Sequence, residues 1–196
     1  MLLSRSAPSG ALLADLAGDG PAALGMAEPD GPGMSGWLAA GADVPADGLA
    51  RLEVAAGPGL GLLARGSGPM VAGQGRALAE LLAADPRPVV ADCGVLGGAT
   101  GDVGLTLAAQ ATHSLLVLRP CFLALRRALA APVRPSAVVL VVEDGRSISA
   151  SDVEAALAVR VSACVRVTPQ VARAVDAGLL AAHLPRTLER DLRHAA

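Results

Sequence analysis

Lysine is absent from the 196 residues, and all 16 basic positions are arginine. The absence removes any Schiff-base or general-base lysine. It also removes the lysine with which a Walker A loop reaches the β- and γ-phosphates of a nucleotide. Tyrosine is missing too, with one Phe and one Trp. The core must be built from Ala, Val and Leu, which favours close helix–sheet packing over recognition in an aromatic pocket. Trp37 is expected to anchor packing. Neither sign of charge is in excess: the net charge is −2, so no basic field draws in nucleic acid. Cysteine is scarce. Cys93, Cys121 and Cys164 are odd in number and far apart, which gives neither a disulfide framework nor a zinc spacing. His113, His183 and His194 do not cluster with them in sequence. The cysteines are expected as small buried or half-buried residues. Although 53% of the residues are hydrophobic, long apolar runs are lacking. Ala137 to Val142 falls far short of the roughly 20 residues of a membrane-spanning helix. Met1 to Arg5 lacks the length and basic start of a signal peptide. The expectation is one cytoplasmic domain with no transmembrane segment.

What the chain does have is centred on Pro88-Val89-Val90-Ala91-Asp92-Cys93-Gly94. An apolar run without alternation suggests a strand buried on both faces, as in a parallel sheet. A carboxylate at such a strand's end points into the crevice where open α/β sheets bind ligands. The glycine-rich stretch Gly94 to Gly101, with Gly97 and Gly98 at its centre, then feeds a helix from Asp102. The same order recurs earlier: Ala11-Leu12-Leu13-Ala14-Asp15, then Gly18-Asp19-Gly20-Pro21. Buried parallel strands ending near each other would bring Asp15 and Asp92 to one rim of the sheet. The plainer alternative is that Asp92 caps a strand and the glycines form turns.

Strands and helices alternate along the chain. Strands are expected at Leu60–Ala64, Ser114–Leu118, Ala137–Val142 and Val161–Val167. Helices are expected at Gln74–Ala84, where Leu78, Leu81 and Leu82 share a face, and at Asp102–Ala111 and Cys121–Ala131. A short helix at Asp43–Leu52 would carry Pro45 in its first turn. Ser151-Asp152-Val153-Glu154 has the form of a capping box. Thr168-Pro169 supplies an N-cap and first-turn proline, and Gly178 a stop. Leu184 to His194 reads as a short surface helix. The alternation predicts an α/β fold with a mostly parallel, doubly wound sheet flanked by helices.

In that order the parts resemble ParA/MinD-type P-loop ATPases, and most of all their Flp-pilus localisation (TadZ/CpaE-like) branch. Leu12 to Leu16 with Gly18-Asp19 resembles the strand and Asp that follow the P-loop helix. Val89 to Cys93 resembles the Walker B strand. Leu116 to Pro120 with Leu125-Arg126-Arg127 resembles the strand and helix after it. Val138 to Val142 resembles the strand that ends in a base-reading Asn, and Val171 to Gly178 the late helix. The resemblance implies ATP and Mg²⁺ as cofactors, with Asp92 holding Mg²⁺ through water near Gly94, Gly97 and Gly98. It implies Asp15 as the catalytic candidate, polarising a water. It further implies a possible homodimer and pilus or secretion machinery as partners.

The departures are as informative. No Gly-rich loop with Lys-[Ser/Thr] is present, and Val142 or Glu143 stands where the base-reading Asn is expected. Met1 to Ser6 resembles the last turns of the helix after the P-loop. The expectation is a single P-loop-NTPase-like domain over 1–196, truncated at its N-terminus relative to the family and missing the P-loop strand. That strand would lie between the Asp92 strand and the Leu115–Leu118 strand. Three functions compete: a positioning or assembly protein with impaired ATP binding or hydrolysis, a nucleotide-free scaffold, and an unrelated enzyme using the Gly94–Gly101 loop as an anion site beside Cys93.

Overall fold

The structure, a computed structural model, describes residues 7–41, 44–45 and 47–193. The expectations for Met1 to Ser6 therefore lie outside the described residues. The chain runs β1 (Ala11–Asp15), α1 (Gly20–Leu24), α2 (Gly33–Ala40), a 3₁₀ turn (Ala50–Leu52), β2 (Glu53–Gly57), β3 (Leu60–Leu63), α3 (Gly75–Ala83) and β4 (Val89–Asp92). It continues through α4 (Gly101–Gln110), β5 (Leu115–Leu118), α5 (Phe122–Leu129), β6 (Ala137–Val142), α6 (Ala150–Leu157), β7 (Val161–Arg166), α7 (Pro169–Asp176) and α8 (Arg186–Leu192).

The α/β architecture is as expected, but the strands form two sheets, ordered β2-β3-β1-β4 and β5-β6-β7. Every pairing is parallel except β2 with β3. In the first sheet β1 is central because Ala11-Leu12-Leu13-Ala14 is apolar on both faces. Leu12 and Ala14 pack with Met34, Leu38, Leu78 and Leu107 from α2, α3 and α4. Ala11, Leu60 and Leu62 pack on the opposite face with Leu24 of α1. In the second sheet Val138 and Leu140 of β6 pack with Val153 of α6 and Leu125 of α5.

Some expectations need correction. Among the described residues the Asp92 strand is an edge strand: β4 pairs with β1 on one side and with no strand on the other. Burial on both faces therefore fails, and Val90 is 46% exposed. An apolar sequence shows that a strand tolerates burial; only a neighbour buries it. The hairpin strand β2 was not expected, since Glu53-Val54-Ala55-Ala56 shows little alternation. Of the helix expected at Asp43–Leu52, only the turn Ala50–Leu52 is seen among the described residues. The capping box lies earlier than expected, on Ser149 and Asp152. Ser149 has the extended backbone of a cap, its Oγ accepts the Asp152 N–H (3.2 Å), and its own N–H goes to Asp152 Oδ2 (2.8 Å). Glu154 instead accepts the Val161 N–H at 2.7 Å, tying α6 to β7. Cys164 is exposed, whereas Cys93 and Cys121 are half-buried. Thr168 caps α7 through the Val171 N–H, and Gly178 closes the helix with φ 61°.

The halves touch through α1 and α7. A Cβ on Gly25 would stand 1.9 Å from the Gly178 carbonyl oxygen, so only glycine permits this approach. No helix among the described residues is long and apolar enough to cross a membrane.

Candidate functional site

Parallel pairing of β1 and β4 aligns Leu12 with Val89 and Asp15 with Asp92. The two carboxylates thus end adjacent strands at one rim, as their shared sequence pattern suggests. Their surroundings differ. Asp15 is 1% exposed. Its Oδ1 accepts the Gly18 N–H at 2.8 Å and its Oδ2 the Gly20 N–H at 2.7 Å. Asp15 therefore folds the chain from β1 into α1. A Cβ at Gly20 would meet Oδ2 at 2.6 Å, so the turn closes only with glycine there. Arg65, just beyond β3, braces the same turn by donating to the carbonyls of Leu16 (3.3 Å) and Ala17 (3.2 Å). The sequence offered one signal for this residue, an arginine between the apolar strand end and Gly66.

Asp92 is exposed. Its Oδ1 accepts the Gly94 N–H at 2.9 Å, and the rest of the carboxylate faces outward. The following loop is tied to itself. The Gly98 N–H donates to the Val95 carbonyl (2.8 Å) and the Gly101 N–H to the Gly98 carbonyl (3.2 Å). The Thr100 hydroxyl donates to the Cys93 carbonyl at 2.8 Å, and Asp102 sits in the first turn of α4. Burial, together with the Asp92 charge, pushes the Cys93 thiol up. A raised thiol pKa leaves little nucleophilic thiolate.

At the C-terminal end of the second sheet, Val142, Glu143, Arg146, Ser149 and Arg166 line an open depression. Both positions at which the resemblance leads one to expect a base-reading Asn therefore lie in its lining. Glu143 is paired with Arg146 and Arg119, and its carboxyl is held below the ordinary carboxylate range, chiefly by its hydrogen bond from Arg146. A third polar cluster joins the segment just before β4 to Glu53 of β2. Arg87 donates to both oxygens of Glu53 (2.7 and 2.8 Å) and to Asp85 (2.8 Å).

The chain aligns with a ParA family ATPase from Chlorobium tepidum TLS at a TM-score of 0.71 and 17% identity, over 97% of this chain and 87% of that one. It aligns with the MinC:MinD cell division protein complex of Aquifex aeolicus at 0.70 and 16% identity, over 90% and 76%. It also aligns with the septum site-determining protein MinD of Pyrococcus horikoshii OT3, complexed with Mg-ADP, at 0.65 and 15% identity, over 86% and 73%. This is a ParA/MinD-like fold. No protein-family model and no curated protein matches the sequence.

The ParA/MinD-like fold raises the question of whether these residues suit a nucleotide and Mg²⁺. Asp92 has carboxylate capacity left for a water-bridged cation. Among the described residues no group of three His, Cys, Asp or Glu could hold a metal directly. For phosphates the fit fails. The sequence has no lysine, Gly94, Gly98 and Gly101 spend their N–H groups inside the loop, and both oxygens of Asp15 are engaged. Among the described residues, the Gly94–Gly101 loop and Asp15 do not form a phosphate cradle.

Proposed function

We propose that the chain belongs to a ParA/MinD-like positioning or assembly protein of the P-loop ATPase superfamily. Its nucleotide chemistry would depend on a phosphate-binding segment outside residues 1–196. The supporting observation is the register of Asp15 with Asp92 at the rim, beside the open edge of β4. Within this reading Asp92 is the Mg²⁺-side carboxylate, acting through water next to Gly94, Gly97 and Gly98. Asp15 shapes the turn, and any effect it has on a water passes through that turn. The Flp-pilus localisation branch, pilus or secretion machinery as partners, and a homodimer are the finer assignments. The Aquifex aeolicus relative is itself solved as a MinC:MinD complex.

The test is calorimetric titration of Mg·ATP into residues 1–196 and into a form extended upstream in the same reading frame. Binding by the extended form alone, weakened by Asp92→Ala, supports the proposal. Tight binding by residues 1–196 overturns it, as does an upstream frame with no Gly-rich, Lys-containing segment. Failure of both forms to bind favours a nucleotide-free scaffold, a reading supported by the full use of Asp15 within its own turn. The internal bonding of the Gly94–Gly101 loop and the raised Cys93 pKa weigh against the anion-site enzyme.

A further inference from the structure

Asp15 holds one end of α1, and the other end of α1 carries a contact between the two halves. At its start, the Gly18 and Gly20 N–H groups both donate to the Asp15 carboxylate, which is buried. At its end, Gly25 caps the helix in the left-handed region, with φ 72°, and its N–H donates to the Ala22 carbonyl. Gly178, with φ 61°, lies against it: a Cβ on Gly178 would stand 2.6 Å from the Gly25 Cα. Backbone meets backbone here, with no side chain between them to absorb a shift.

The contact extends beyond one pair of glycines. After Gly178 the chain turns back, the Leu179 N–H donating to the Ala174 carbonyl (2.8 Å) and the His183 N–H to the Leu179 carbonyl (2.7 Å). That turn lays Ala181 against the core of Ala11, Leu24, Leu60 and Leu62. Residues 178–181 of the second half thus dock on α1 and on the core that Leu24 of α1 helps to form. Along the chain the halves are joined by residues 111–114, of which the first three are exposed.

Helix α1 has five residues, little more than one turn. Leu24 pins its far end in the core, so the Asp15 turn sets its direction. A short, close-packed element of this kind passes on a displacement instead of taking it up. We propose that α1 couples the Asp15 carboxylate to the docking of the second half. While Asp15 holds both N–H groups, the Gly25–Gly178 contact and the seat of Ala181 stay closed. When an Asp15 oxygen is drawn to another donor or to a cation at the rim, α1 pivots about Leu24. Residues 178–181 then detach, with both sheets still folded. The coupling is reciprocal: undocking frees the Asp15 carboxylate for a rim ligand. Asp15 is here a positioning residue that acts through α1, and the proposal needs no nucleotide.

Residue-resolved amide hydrogen exchange on residues 1–196 tests the coupling from both sides. Asp15→Asn keeps the shape but turns one acceptor into a donor. It is expected to speed exchange of the Leu179 and His183 amides by about tenfold or more. Gly178→Ala is expected to do the same, across the contact, to the Gly18 and Gly20 amides. In both variants the amides of β6 should keep their wild-type rates. Leu78→Ala, which weakens the core on the other face of the first sheet, is the comparison and should single out neither set. Effects confined to the half that carries the substitution overturn the proposal. So does equal acceleration of β6, which would mean that the variants loosen the whole chain, or selective acceleration of these amides in Leu78→Ala. Should Asp15→Asn fail to fold, Gly178→Ala decides alone: unchanged Gly18 and Gly20 amides sink the coupling.

Discussion

The two sheets are made of similar strands, short, aliphatic and mostly parallel, yet they bury them to different degrees. β1 and β3 of the first sheet are almost wholly enclosed, with Ala14 and Leu62 at 0% exposure. In the second sheet only β6 approaches this, while β5 leaves Val117 65% exposed. Composition does not separate Leu-Gly-Leu-Leu from Leu-Leu-Val-Leu. The number of strands and helices alongside does. The same contrast separates Asp15 from Asp92, aligned on neighbouring strands, one closed into a turn and the other open to solvent.

The sharpest test of this contrast replaces one side chain in each sheet. Leu62→Ala should cost about 3 kcal/mol in denaturant unfolding, through lost burial and the cavity left behind. Val117→Ala should change stability by less than about 0.5 kcal/mol. Similar losses would show that the second sheet is buried in solution. Next come the carboxylates. Asp15→Ala strands two N–H groups and should cost about 2–3 kcal/mol, whereas Asp92→Ala should stay below about 1 kcal/mol.

The Arg87 cluster comes third. Its side chain is 24% exposed, against 26% for Glu53 and 17% for Asp85. Arg87→Ala should destabilise by about 1–2 kcal/mol, because two partly buried carboxylates lose their partner. The Arg87 guanidinium beside Asp85 holds that carboxyl below its usual value. A depressed carboxyl contributes stability that is complete above its unfolded pKa, near 4, and is lost as the pH falls through the lower folded value. Wild-type stability should therefore decline below about pH 4, and Arg87→Ala should flatten that part of the profile. At the cap of α6, Ser149→Ala should cost about 1 kcal/mol and Ser151→Ala a few tenths. The smallest effect is read as a rate: at neutral pH, iodoacetamide should label exposed Cys164 well before Cys93, whose thiol is half-buried and raised. Faster labelling of Cys93 would point back to a reactive thiol beside the loop.

Much of the fold was legible locally. Ala137 to Val142 forms the strand its aliphatic run predicts, and Thr168-Pro169 opens a helix where its cap and proline place one. Glu53 to Gly57 was missed because its pairing is set by β3 rather than by its own pattern. The cap of α6 was displaced because Ser149 and Ser151 differ only in backbone conformation, which sequence spacing does not resolve. At the site, the common rim of Asp15 and Asp92 followed from two similar strand–Asp–Gly stretches. The consumption of Asp15 by the N–H groups of Gly18 and Gly20 did not, since it depends on how tightly the turn closes.

By itself the sequence determined the chemistry available: arginine without lysine, carboxylates at strand ends, and an aliphatic core of small residues. It also determined most element types, because capping and apolar runs act over a few neighbouring residues. Only the tertiary structure decided that the strands divide into two sheets, that Asp92 lies on a strand paired only with β1 among the described residues, and that Asp15 is closed into its own turn. A strand's hydrogen-bond partners lie across the fold rather than along the chain, so no stretch of sequence carries them.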